Sequence, residues 1–350
     1  MHVNAAQGSF GEFLVELGGL FPSALIGPLG WERLLALAHR LPLHVIDQRF
    51  GFEFALCDPD PVADFCVVPT PGSRLAEFYV RQGAMAPLGS ALAALGTFLA
   101  QKAVHNALFA DGSGGVILEY DLVGISAEQP SPPGIFIVTG DSRDESCIRK
   151  LLGSPDALAT ALWAVAGWTP DAAIQQQMRQ IYRLIQPMRS VSQAGILPGR
   201  AQRALRLIIH TDSAGDAVEL LARLRYPGSL ADAATVVESL TELTRPGVSL
   251  SVDVSPGGVS PRLGLEFHRP VEWYELDHSG WNRLIDRLEE RGWCLPEKAH
   301  GLKAWSRMEQ VFEEGRVYRI LQTINHVKVV LARGAITAKA YAGTVVLQGA

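Results

Sequence analysis

The sequence predicts an α+β fold: a closed antiparallel β-barrel of ten strands, built from five α-β-β-α repeats with the helices outside, as one domain over residues 1–350. Two observations predict it. First, the apolar period switches five times from the 3.6 of a helix to the 2 of a strand. Each switch is a hairpin between helical stretches, and a spacing of about sixty residues marks a repeat of architecture. Second, each hairpin has one oily face and one ionic face. In the most regular one, over 249–270, Leu250, Val252 and Val254 alternate with Ser249, Ser251 and Asp253. On its return strand Leu263, Leu265 and Phe267 alternate with Arg262, Gly264, Glu266 and His268. Isolated hairpins are marginal. Ten such strands satisfy their edges by closing, with the oily faces under helices and the ionic faces around a lumen wide enough for a ligand.

The elements follow in order. Apolar positions at helical spacing over 9–20 and 30–40 predict N-terminal helices within about residues 1–45, broken by Pro22 and Gly27-Pro28. Hairpin one sets Phe52, Phe54 and Leu56 against Gly51, Glu53 and Ala55, turns at DPDP and returns over 62–68 with Asp64. Ala/Leu-rich helices over 73–104 and a GSGG hinge lead to hairpin two. There Val116, Leu118 and Tyr120 oppose Ile117, Glu119 and Asp121, and the chain returns through a Pro-rich turn as GIFIVT. Helices over 144–166 and 170–185 follow, the second with Thr169 as cap before Pro170. The return strand of hairpin three sets Leu205, Leu207 and Ile209 against Arg206, Ile208 and His210. Helices over 214–225 and 230–243 precede hairpin four; helices over 277–292 and 297–313 precede hairpin five, where Val327, Val329 and Leu331 oppose His326 and Lys328 and where Lys339 and Tyr341 share a face.

Bulk composition excludes several classes. A net charge of −5, with no basic run interleaved with aromatics, argues against nucleic acid as a partner. The N-terminus lacks a basic n-region, Glu12 and Glu16 interrupt its apolar part, and no uncharged run is long enough to span a bilayer, so neither a secretory signal nor a membrane anchor is expected and the cytoplasm is the expected compartment. Cys57, Cys66, Cys147 and Cys294 have neither zinc-site spacing nor the density of a disulfide scaffold, so reduced, structural thiols are expected. GxSxG, HExxH, GxGxxG and DDxxD motifs are absent.

Several of these words resemble the aromatic prenyltransferase (ABBA, or PT-barrel) superfamily. GFEFAL with VADFCVVP is similar to the first hairpin of its indole, dimethylallyltryptophan synthase-like branch; LEYDL is similar to the second hairpin; AKAYAG resembles the Lys-x-Tyr pattern of strands that bind diphosphate and shield an allylic cation. The resemblance implies transfer of an allylic group from a prenyl diphosphate to an aromatic small molecule or peptide, a role in natural product biosynthesis, and Glu53 as the carboxylate that recognises the acceptor. It implies no obligatory cofactor and no resident metal; on the residues themselves, Asp121 or Glu119 could instead hold Mg²⁺ against the diphosphate. The sequence departs from that pattern too. Hairpins one and two return without a base, and Tyr341 alone keeps the expected shielding position.

On this face assignment the lumen presents the bases Arg206, Arg262, Lys328 and Lys339. Facing them are the acids Glu53, Asp64, Glu119, Asp121, Asp253 and Glu266, with His210, His268 and His326 nearby. Cations fixed in a water-poor cavity suit a diphosphate leaving group, which assigns Arg206, Arg262, Lys328 and Lys339 to its binding, and the resemblance implies Tyr341 beside them. Glu53 and Asp121 are the candidate acid/base groups. Six acids against four bases also suit other acid/base chemistry on a cationic or peptide substrate, and a non-catalytic container is the third reading. The bland alternatives are cross-lumen pairing of Arg206 or Arg262 with Glu119 or Glu266, and exposed hairpin ends for Lys328 and Lys339.

Overall fold

The computed structural model describes residues 8–70, 72–100, 114–122, 132–139, 153–185, 190–199, 203–269, 278–313 and 316–348. Ten strands pair antiparallel in sequence: β1 (Arg49–Ala55), β2 (Ala63–Val68), β3 (Gly114–Tyr120), β4 (Gly134–Thr139), β5 (Ser190–Ile196), β6 (Leu205–His210), β7 (Ser249–Ser255), β8 (Gly258–His268), β10 (Arg316–Ala332) and β11 (Ala335–Gln348). β11 returns to β1, Glu53 opposite Tyr341, and closes the barrel. An eleventh strand, β9 (Arg307–Glu313), lies outside the closure on the long N-terminal half of β10. This corrects the helix expected to run through 313. The helix stops at Lys303, and Arg307, Glu309 and Val311 follow a strand period that the helical reading absorbed.

The helices are α1 (Phe10–Glu16), α2 (Pro28–Ala38), α3 (Arg74–Met85), α4 (Ala91–Ala100), α5 (Pro155–Ala166), α6 (Ala172–Ile185), α7 (Ala214–Arg223), α8 (Leu230–Thr241), α9 (His278–Glu290) and α10 (Pro296–Lys303). Serines start six of them. Ser9 forms a reciprocal capping box with Glu12, and Ser73, Ser90, Ser154, Ser213 and Ser229 each accept a bond from the backbone three residues on. The α6 cap is Asp171, not Thr169: its Oδ1 accepts from the N–H groups of Ala173 and Ile174 at 2.9 and 3.1 Å. Residues 144–152 of the expected α5 helix, Cys147, the Pro-rich turn of hairpin two and the first half of GSGG lie outside the described residues.

The core fills the space between barrel and helices. Alternation sends Phe52, Phe54, Phe65, Leu118, Ile137, Leu207, Val252, Phe267 and Val329 outward into one apolar cluster with the inward faces of the helices. Trp305 stands among Phe21, Phe52 and Phe54 at ring distances of 5.1–5.7 Å. In β10 the core set changes parity, from Ile320 and Ile324 to Val327, Val329 and Leu331. The change is made by a bulge between Ile324 and His326. Without that extra residue, His326 and Lys328 would face the helices.

Two glycines set one helix contact. A Cβ on Gly96 of α4 would lie 2.7 Å from the Gly83 Cα of α3, and one on Gly83 would meet the Gly96 Cα at 2.6 Å. Neither backbone can move far without unseating its helix from the barrel. Gly96→Ala is therefore expected to destabilise the fold by ~1–3 kcal/mol, read as an unchanged m-value with a lower midpoint in urea.

Candidate active site in the barrel lumen

The inward faces bring the predicted polar residues into a ring of cross-strand neighbours. Glu53 lies opposite Asp64 on β2; Cys66 lies opposite Glu119; Arg206 opposite Asp253; Ser249 opposite Glu266; Lys328 opposite both Glu266 and Lys339; His326 opposite both His268 and Tyr341. Glu53 is 6% exposed, Arg206 and Glu266 5%, Lys328 and Ser251 3%. Carboxylates and cations so enclosed persist only when paired.

They are paired. Arg206 donates through Nε and Nη2 to both oxygens of Asp253, at 2.7 and 3.0 Å, so its partner is neither Glu119 nor Glu266. Lys328 Nζ is 3.0 Å from Glu266 Oε1 and donates to Ser251 Oγ at 2.8 Å. Lys339 donates to Glu53, which also accepts from the Tyr341 hydroxyl. Neither lysine is an exposed hairpin end. Arg262 is half-buried and acts on Asp253 as a further cation.

These pairings shape the titration. Burial opposes ionisation of Glu53, but Lys339, Tyr341 and Lys328 outweigh it and hold the carboxyl at about 2. Asp253 and Glu266 are also held below the usual range, against burial, by Arg206 and by Lys328 respectively. Two acids behave in the opposite way. Burial, reinforced by the fixed negative charge of Glu53, pushes both Glu119 and Asp64 up to about 7. Asp121 adds to both effects from just beyond β3, half-buried. Asp64 Oδ1 accepts from the Leu122 N–H at 2.7 Å, which ties it to the β3 end.

Rings line the wall beside the ion pairs. His326 stacks on Tyr341 at 4.2 Å and 12°, and His268 lies 4.9 Å from His326. Burial, the neighbouring His268 and Lys328 hold His326 at about 3, so it is a neutral ring near pH 7. Its Nδ1 is 2.7 Å from Asn325 Oδ1, which assigns the proton to Nδ1 and leaves Nε2 as an acceptor. Beside Glu119 of β3 and Arg206 of β6, the opposite side of the lumen carries an apolar patch. Phe136 and Ile208 are buried there on the inward face, and Gly195 lies beneath the Phe136 ring, where any Cβ would overlap it.

One sequence-predicted residue is not brought in. His210 ends β6, exposed, 3.3 Å from Ser249 Oγ; the strand finishes before it is enclosed. Sequence reasoning missed Ser251, Cys66 and Phe136 as site residues. Strand parity placed all three on the inward side, but a hydroxyl, a thiol and a phenyl ring carry no charge signal. Among the described residues no group of three or more His, Cys, Asp or Glu side chains is arranged to hold a metal ion, and no helix is long and apolar enough to cross a membrane.

A solved structure titled as that of NotF prenyltransferase is similar over 96% of this chain and 92% of that chain, with a TM-score of 0.54 and 11% sequence identity. This chain has the prenyltransferase-barrel fold. No family model and no curated protein matches the sequence. At that identity the likeness reaches the fold alone, so the chemistry of this prenyltransferase barrel rests on its own lumen.

The lumen titration predicts a pH dependence. Glu119 and Asp64 bind protons more tightly folded than unfolded, so they stabilise the fold at low pH and lose that contribution as pH rises to about 7. Glu53 works the other way only below its usual 4.5, and His326 only below its usual 6.5. Two carboxyls outweigh one imidazole between these limits. The protein is expected to melt roughly 3–6 °C higher near about pH 5 than near about pH 8, with Glu119→Gln narrowing the gap.

Proposed function

We propose that the lumen transfers an allylic group from a prenyl diphosphate to an aromatic acceptor, either a small molecule or a peptide side chain. The observation that carries this reading is a closed barrel of prenyltransferase fold whose lumen sets paired ions beside a buried apolar patch at Phe136 and Ile208. The hydrocarbon lies against Phe136, Ile208 and the neighbouring inward residues. The diphosphate meets the cations Arg206, Arg262, Lys328 and Lys339, which are oriented before charge develops. The neutral rings of Tyr341 and His326 face the allylic cation, whose charge their π-faces stabilise. Glu53 accepts the acceptor's N–H or O–H. The allylic C–O bond breaks and diphosphate leaves; the ring carbon or heteroatom bonds the allylic carbon; the ring proton passes to a lumen carboxylate, with Glu53 first and Glu119 or Asp121 next to it. No resident cofactor enters this scheme, and any effect of Mg²⁺ is measured by adding and chelating it.

A second reading has its own support. Each of three lumen bases, Arg206, Lys328 and Lys339, already stands in an ion pair with a carboxylate, and two further carboxyls titrate near 7. That set suits proton transfer on a cationic or peptide substrate. The test is incubation with dimethylallyl or geranyl diphosphate and a panel of indoles, phenols and aromatic peptides, with diphosphate release as the readout. No release in any pairing removes the first reading and leaves the second.

A further inference from the structure

The ion pairs Arg206–Asp253, Lys328–Glu266 and Lys339–Glu53 are not equivalent. Arg206 and Asp253 form a two-pronged pair in which the guanidinium is held above its usual range and the carboxylate below, so each ion favours the other's charged form. Lys339 and Glu53 behave the same way. Lys328 does not. Burial and the nearby Arg206 guanidinium outweigh Glu266 and Glu53, and the ammonium is held below its usual range. It is an incompletely compensated cation in a nearly closed space.

Its position depends on a missing side chain. Lys328 stands on β10, and its ammonium crosses β8 to reach Ser251 on β7. It passes over Gly264. A Cβ there would collide with Lys328 Cε, lie 3.3 Å from Nζ and press on the Ser251 Cβ at 3.0 Å. Ser251 thus offers Lys328 a neutral hydroxyl, whereas Arg206 and Lys339 hydrogen-bond to carboxylates among the described residues. Lys328 Nζ also lies 6.0 Å from the Tyr341 ring centroid, at the outer reach of a cation–π contact.

We infer that Lys328 is the cation that swings to engage the phosphate-bearing end of a substrate, and that Ser251 and Gly264 are positioning residues that hold it across β8 until that anion arrives. Arg206 and Lys339, on this inference, remain with their carboxylates and hold the wall. The inference rests on the proposed reading that the substrate carries a diphosphate, and it narrows the four-base cradle to one moving group.

Calorimetry with inorganic diphosphate tests it. Glu266→Gln removes the competing carboxylate charge and is expected to tighten binding about tenfold, a gain that no folding defect imitates. Ser251→Ala leaves the ammonium to Glu266 alone, and Gly264→Ala displaces it; each is expected to weaken binding about five- to tenfold. The double replacement Lys328→Gln with Glu266→Gln, which leaves no orphaned charge, abolishes binding. The matching Arg206→Gln with Asp253→Asn pair costs less than about threefold. Equal losses in the two neutral pairs, no gain in Glu266→Gln, or no binding by the wild-type protein would overturn the inference. The expected binding pattern without transfer to any acceptor would leave it standing and remove the proposed function instead.

Discussion

Asp253→Ala is expected to destabilise the protein by ~3–5 kcal/mol, because it leaves the Arg206 guanidinium buried with no carboxylate to receive two of its donors. Arginine cannot escape by deprotonating, as a buried lysine does. The ion has to be hydrated by opening the barrel between β6 and β7, or remain uncompensated. Chemical unfolding of the single variants Asp253→Ala and Arg206→Met and of the double variant measures the pair. The double variant is expected to recover most of the loss, since an apolar replacement of both partners removes the desolvation cost along with the attraction. Near-additive losses would mean that the two side chains do not act as a pair.

Glu53→Gln is expected to lower turnover in the proposed reaction by ~10²–10³-fold while keeping side-chain volume. The carboxylate accepts from both Lys339 and the Tyr341 hydroxyl, so it is oriented from two sides toward the lumen. An amide keeps the shape and loses both the charge and the capacity to take a proton. A second readout separates this from simple loss of structure. The charge of Glu53 helps hold Glu119 and Asp64 near 7, so the variant is expected to ionise both at lower pH, and the pH dependence of melting flattens with it. Unchanged turnover at an unchanged fold would move the acid/base role to Glu119 or Asp121.

Much of the lumen was legible because a strand has period two. Leu250, Val252 and Val254 against Ser249, Ser251 and Asp253 declares two environments without any knowledge of what lies on either side, and the same alternation assigned Glu53, Arg206, Glu266, Lys328 and Tyr341 to one enclosure. Helices carried weaker terminal signals. Thr169 and Asp171 both offer an acceptor near the start of α6, and only the backbone path selects Asp171. The β9 segment was misread since Arg307–Glu313 follows directly on a helix and mixes Met308, Val311 and Phe312 with ionic residues at both spacings.

Partner choice was not legible at all. Arg206 had Glu119 and Glu266 in prospect, and the register of β6 on β7 overrules both by setting Arg206 directly opposite Asp253. The absent side chain of Gly264 decides that Lys328 reaches Ser251 as well as Glu266. By itself, then, the sequence determined the alternation of oily and ionic faces, and hence a helix-jacketed barrel around a charged interior, because face and period are local properties of the chain. Only the tertiary structure decided which charges neutralise one another, because that depends on strands distant in sequence arriving at one register across a closed ring.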